Sequence, residues 1–211
     1  MNAGDAAARL RSIRIDLQVV ADMVTPESRV LDVGCGDGAL LDYLVHFKRV
    51  DGRGLEISQA GVNACVGQGL SVIQGDADTD LKTYPSKSFD YIILSQTLPA
   101  IHDPKAVLLE LARIGRRAIV SFPNFGHWKV RWHLLRHGRT PVVDSPTHEW
   151  FETPNIHPCT IKDFIRLCDK LDITIERAIS LSHWGYPRPS RLPRTMANLL
   201  DRHGLFLLRK D

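Results

Sequence analysis

Three carboxylates, Asp32, Glu56 and Asp76, each stand at the end of a short apolar run, and the first is followed by glycines at alternate positions, DVGCGDG. Gly34, Gly36 and Gly38 let main-chain N–H groups come close to a ligand with no Cβ in the way. Dinucleotide enzymes use a related turn, G-x-G-x-x-G, to seat a pyrophosphate on a helix N-terminus. Here the third glycine follows the second by only two positions, and Asp32 and Asp37 flank the turn. Those acids repel a diphosphate and suit an ammonium or sulfonium cation. Glu56, 22 residues after Gly34, is placed to accept hydrogen bonds from the vicinal hydroxyls of a ribose. Asp76, in QGDAD, is placed to accept from an adenine amino group. Each acid alone is equally well read as a turn cap or a solvated strand-end residue. Their order at three successive strand ends describes a nucleoside with a cationic amino-acid tail and no phosphate, which is S-adenosylmethionine.

The elements that must hold these residues alternate in period. Asp16 is expected to cap a short helix carrying Leu17 to Val24 and ending at Thr25-Pro26. Strands are expected over Arg29–Val33, Val50–Ile57, Leu70–Gln74, Phe89–Ser95 and Arg117–Phe122. Helices intervene: Asp37–Phe47, a second capped by Ser58 and stopping at Gly67 and Gly69, and a third opened by Asp103-Pro104. Thr160 is expected to cap a later helix bearing Ile161, Phe164, Ile165 and Cys168. It is followed by the alternating run ITIERAI, a helix near Met196–Leu200 and an apolar run Leu205–Leu208, the two runs forming a hairpin edge. Apolar strands separated by helices imply parallel pairing covered on both faces. The fold class is α/β, doubly wound.

With 211 residues, 44% of them hydrophobic, the chain suits one domain. No run of apolar residues is long enough to span a bilayer, and MNAGDAAARLRSIR lacks a signal-peptide core, so a cytoplasmic location is expected. Cys35, Cys65, Cys159 and Cys168 form no C-x-x-C pair and read as buried thiols. A net charge of +3 is too dilute for a nucleic-acid binder unless it is concentrated.

VLDVGCGDG, GLEIS, QGDAD and FDYIILSQTL together resemble the class I S-adenosylmethionine-dependent methyltransferase fold over residues 25–125. More narrowly, DVGCGDGALL, SQTLPAIHDP, SFPNFGHWKVR and TPVVDSPTHEWFETPNIHPCTIKDF resemble the MetW family of methionine-biosynthesis proteins over nearly the whole chain. The resemblance implies a Rossmann-like, mostly parallel seven-stranded sheet with an antiparallel C-terminal strand. It implies a single domain: core 25–125, an aromatic and histidine-rich insertion 123–158, and a closing helix and strands over 160–209. Carried over by position, the residues holding S-adenosylmethionine or S-adenosylhomocysteine are Asp32, Gly34, Cys35, Gly36, Asp37, Gly38, Glu56, Ile57, Asp76 and Ala77, with Ser95 and Gln96 on the methyl-transfer side. The resemblance also implies a partner, a MetX-type homoserine O-acyltransferase. The chain has no G-x-S-x-G elbow with which to be that enzyme itself.

No residue is marked as a catalytic base. Where nitrogen-modifying enzymes of this fold carry an Asn/Asp-Pro-Pro-aromatic loop, this chain has Ser95-Gln96-Thr97-Leu98. His102, Asn124, His127 and Trp128 are the polar and aromatic candidates for a substrate or partner face. His133 and His137 sit four apart, but a leucine occupies the position of a metalloprotease glutamate, so no metal is expected. The arginines and tryptophans of 123–158 fit a lid or a protein-binding surface better than single-stranded nucleic acid. Two readings follow: an S-adenosylmethionine-binding accessory of the acyltransferase, or a small-molecule methyltransferase.

Overall fold

The computed structural model describes residues 13–141, 150–153, 155–182, 187–189 and 194–210. Strands β1 (Arg29–Val33), β2 (Asp51–Glu56), β3 (Val72–Gln74), β4 (Phe89–Ser95) and β5 (Gly115–Pro123) pair in parallel in the order β3-β2-β1-β4-β5. Successive residues of β1 face opposite layers. Leu31 and Val33 join one core with Ile92, Leu94 and Leu108, while Val30 joins another with Val20, Leu44 and Ile93. That two-sided burial explains why these strands read as continuous apolar runs.

Helices α1 (Ile15–Met23), α2 (Ala39–Lys48), α3 (Gln59–Gly67), α4 (Ala77–Asp80) and α5 (Pro104–Ile114) connect or cover the parallel strands. The Ser58 hydroxyl caps α3 and the Asp103 carboxylate caps α5, both as expected. Asp16 does not cap α1. Arg14 stands at that position, and Asp16 lies buried in the first turn, bonded to the Arg14 guanidinium and to the Gln96 amide. Helix α2 starts two residues later than Asp37, because Gly38 at φ +82° makes the turn into the helix and the Asp37 carboxylate accepts from Ala39 N–H.

After β5 come α6 (Trp128–His137), α7 (Ile161–Lys170), β6 (Thr174–Leu181), β7 (Pro187–Pro189), α8 (Arg194–Leu200) and β8 (His203–Arg209). Thr160 caps α7 as expected. Strand β8 is not at an edge: it inserts antiparallel between β5 and β6, giving the order β5-β8-β6-β7. A stacked group of Phe122, Phe164 and Phe206, with centroids 4.7–5.8 Å apart, fixes α7 against that insertion. The short β7 makes eight strands where seven were expected; its two prolines suit an edge position.

Asn124, 1% exposed, fastens this half to β5. Its amide donates to the carbonyls of Asn198 and Asp201 and accepts from the N–H groups of Gly126 and Ile161. Replacing Asn124 with Ala strands several of these buried groups, so urea unfolding of Asn124→Ala is expected to show a loss of about 3 kcal/mol. A loss within about 0.5 kcal/mol of zero contradicts this account of how β5 is joined to α7 and α8.

Candidate functional site

From β1 the chain runs outward through β2 to β3 and then crosses back to the other side of β1 as β4, so the carboxyl ends of β1 and β4 border the switch point where open α/β sheets bind ligands. A cleft opens there. Its walls are Val33, Gly34, Leu55, Ile57, Gly75, Asp76, Ala77 and Asp78, and, from the turn after β4, Thr97, Ala100, Ile101 and His102.

The three glycines do different work. A Cβ on Gly34 would collide with the Thr97 side chain, and one on Gly38 with Leu70 and Cys65. Both therefore answer to packing within the chain. A Cβ on Gly36 would meet no atom within 4 Å, so this is the one glycine of the turn whose bare side faces open space. All three have φ between +59° and +82°, which disfavours other residues. The N–H groups of the glycines themselves are all engaged within the chain. Gly34 donates to Leu55 O, Gly36 to Glu56 and Gly38 to Cys35 O. The Cys35 and Asp37 N–H groups find no acceptor among the described residues, and these are the donors the turn has to offer.

Asp32 is 2% exposed, and its carboxylate has no hydrogen bond from any described residue. Burial, and secondarily the charge of Glu56, push its pKa up to about 7. Glu56, also buried, is held from both sides: one oxygen accepts Gly36 N–H at 2.8 Å and the other accepts Ser58 N–H at 2.9 Å. A carboxylate has about four acceptor sites, so lone pairs remain. Asp76 caps α4 through the Asp78 N–H at 2.9 Å and still lines the cleft.

Other expected residues divide cleanly. Ile57 and Ala77 line the cleft as apolar walls. The Cys35 thiol points away, packing 3.9 Å from Cys65 under Gly54, and burial raises its pKa strongly. Asp37 is exposed. Ser95 hydrogen-bonds Ser121 across the sheet at 3.0 Å. Gln96, at φ +61°, turns its amide toward Asp16 and Ser121 and does not line the cleft. His102 lines the cleft with its side chain exposed, whereas Asn124 and His127 are buried and brace the start of α6, and Trp128 is exposed on that helix. His133 and His137 stack ring on ring along α6 with centroids 4.6 Å apart.

Two residues escaped the sequence reading. Asp78 accepts from the N–H groups of His102 and Asp103 and from the His102 ring, tying α4 to the turn after β4. Burial alone would raise its pKa, but those donors hold it below the ordinary carboxylate value. Its partners lie 24 and 25 residues away, so no local pattern announces it. Asp16 brings α1 against the end of β4 through the Gln96 amide, and an acid amid apolar residues near a helix start carries the same local pattern as a cap.

The cleft is thus walled by apolar residues and by Asp76 and Asp78, while Asp32, Gly36 and Glu56 adjoin its walls Val33, Gly34, Leu55 and Ile57 in the chain without lining it. Residues 14–208 match the family model of the methionine biosynthesis protein MetW. A bifunctional methionine biosynthesis protein MetXA/MetW of Rhodopirellula baltica is 33% identical over 177 residues, 80% of this chain and 28% of the relative. A fatty-acid O-methyltransferase of Mycolicibacterium smegmatis is 33% identical over 110 residues, 50% of this chain and 39% of the relative. The chain therefore spans well under half the length of either. Among solved structures, a SAM-dependent methyltransferase of Thermotoga maritima superposes with TM-score 0.67 at 16% identity, covering 93% of this chain and 87% of that one. The [4+2]-cyclase SpnF superposes with TM-score 0.64 at 16% identity, covering 92% of this chain and 80% of that one. These likenesses establish the methyltransferase fold. The family match covers nearly every described element and reaches from α1 to β8: the chain belongs to the MetW family.

Proposed function

We propose that this chain binds S-adenosylmethionine in the cleft at the ends of β1, β2 and β4 and acts as an accessory partner of homoserine O-acyltransferase. The ligand half rests on Asp32, a buried carboxylate without a hydrogen-bond donor among the described residues, in a site that a cation would complete. Glu56 has lone pairs for a ribose, Asp76 for an adenine amino group, and Ile57, Ala77 and Ile101 offer apolar walls for the base. When bound, the ligand brings an electrophilic methyl group on a sulfonium. The residues of this chain hold and orient it, and Gly36 leaves the room. The partner half rests on the Rhodopirellula baltica relative, whose name joins MetXA and MetW in one protein. S-adenosylmethionine is made from methionine, so a ligand-dependent affinity for the acyltransferase would couple product level to synthesis.

A second reading, a methyltransferase with a small-molecule acceptor, is favoured by the likeness to a fatty-acid O-methyltransferase. Positioning alone can drive such a transfer, so the absence of a marked base does not decide between the two.

Calorimetry with S-adenosylmethionine is expected to give a one-to-one isotherm that Gly36→Val weakens at least about 100-fold, since the new side chain fills the ligand's space. No heat with the parent chain ends the ligand proposal. The pH dependence has a definite sign. Asp32 in the free chain keeps its proton to about 7, above its ordinary value, so the stability it contributes is full at low pH and declines as pH rises through that range. Ligand affinity runs the other way: a cation favours ionised Asp32, so binding is expected to weaken as pH falls from about 8 to about 6, and Asp32→Asn to flatten that slope. An equal slope in both chains removes Asp32 from the role.

To separate the two functional readings, homoserine acylation by the purified acyltransferase is measured with and without this chain. The accessory reading expects acylation to rise several-fold with the chain present. Formation of S-adenosylhomocysteine with a small acceptor, and no effect on acylation, supports the methyltransferase instead.

A further inference from the structure

Helix α6 is an anomaly of packing. Its ten residues, WKVRWHLLRH, include two tryptophans, two leucines and a valine, yet none is buried. Trp128 is 46% exposed, Trp132 56% and Leu135 78%. They recur at i, i+4 and i+7, one face of a helix. An isolated helix of this length is marginal in water. This one is rooted instead: His127 caps it, and the Arg131 guanidinium donates to Gly126 O at 2.7 Å. Its apolar face meets Leu199 of α8 to form an open groove with Trp128, Arg131, Trp132 and Leu135. Met196 and Leu200 of α8 are also exposed.

The charge on α6 has one sign. The helix carries Lys129, Arg131 and Arg136 and no carboxylate. Exposed tryptophan, leucine and arginine, held on a fixed backbone, are the composition of interface anchors. The occupant is indicated by the relative that carries a MetXA portion on the same polypeptide, since 28% of that protein accounts for the match to this chain. A fused neighbour is present at high effective concentration; where the two portions are separate polypeptides that help is lost, and the contact face itself must supply the affinity.

We propose that the α6–α8 face is the docking surface for the homoserine O-acyltransferase, which presents an apolar ridge flanked by acidic side chains. The proposal rests on the accessory reading above and adds to it the place of contact. Trp132 and Leu135 supply the buried anchors. Lys129 and Arg136 flank them and set the approach.

The full chain and the acyltransferase are purified separately and their association is followed by sedimentation velocity and calorimetry. The paired change Trp132→Glu, Leu135→Glu is expected to weaken the complex at least about 30-fold. Val66→Glu, at an exposed apolar site on α3, is expected to leave it unchanged. Arg136→Glu is expected to weaken it by a smaller factor and to reduce its salt dependence. Melting temperature and S-adenosylmethionine binding, measured on each variant, exclude misfolding as the cause. An undiminished complex in the paired variant overturns this surface and leaves the accessory reading standing; no complex with the parent chain overturns both. Self-association of the parent chain abolished by the paired change, with the acyltransferase complex intact, assigns the face to a second copy and overturns the proposal. Likewise, capture of the parent chain, but not of the paired variant, by phosphatidylglycerol vesicles with the complex intact assigns it to a membrane.

Discussion

The contact on which the site depends is short and local. Glu56, at the end of β2, reaches back to the turn after β1 and accepts Gly36 N–H, while its second oxygen accepts Ser58 N–H. One carboxylate thereby fixes the glycine turn, the start of α3 and the end of β2 in a single frame. Gly61 belongs to the same frame, since a Cβ there would strike both Gly36 O and the Glu56 side chain. The consequence is electrostatic. An acid held in that place by main-chain donors stays close to Asp32, and its charge adds to burial in raising the Asp32 pKa. A turn built to pack tightly therefore creates the acidic site that a cationic ligand would relieve.

Much of this was legible in the sequence because the signals were local. Apolar runs of strand length gave the parallel strands; Ser58, Asp103 and Thr160 gave helix starts, since a cap acts within three residues of itself. Asp32, Glu56 and Asp76 draw notice in the sequence because they stand at strand ends, and of the three only Asp76 lines the cleft. What escaped depends on distant partners. Asp78 works on His102 and Asp103, and Asp16 on Gln96, 80 residues away. The insertion of β8 between β5 and β6 is a matter of pairing, which an apolar run does not specify. The glycines carried a subtler error: their spacing revealed a tight turn, but only the surrounding side chains show that Gly34 and Gly38 are forced by Thr97, Leu70 and Cys65.

The fold by itself leaves the reaction open, as the superposition on a [4+2]-cyclase illustrates. The difference between an enzyme and an accessory must lie in what surrounds the end of β4. There the chain turns its polar groups inward. Ser95 binds Ser121, and the Gln96 amide binds Asp16 and Ser121. Groups already paired in this way are poorly placed to abstract a proton from an acceptor. The same inward pairing gives α1 a fixed seat against the sheet.

The route from cleft to outer face is made of backbone bonds. The turn Leu98–Ala100 supplies Ala100 to the cleft, and its Pro99 carbonyl accepts from the N–H groups of both Ile156 and His157. Further on, Phe125 N–H bonds Cys159 O, and Asn124 joins the start of α7 to α8. Residues 155–159, which hold the root of α6 through Phe125, thus rest on the turn that lines the cleft. Rigid bonds of this kind transmit a displacement only if the turn has two arrangements that the ligand distinguishes. The turn after β4 is pinned from the cleft side by Asp78 and from the outer side by Ile156 and His157, so the two sets of bonds meet beside Ala100 and Ile101, which line the cleft.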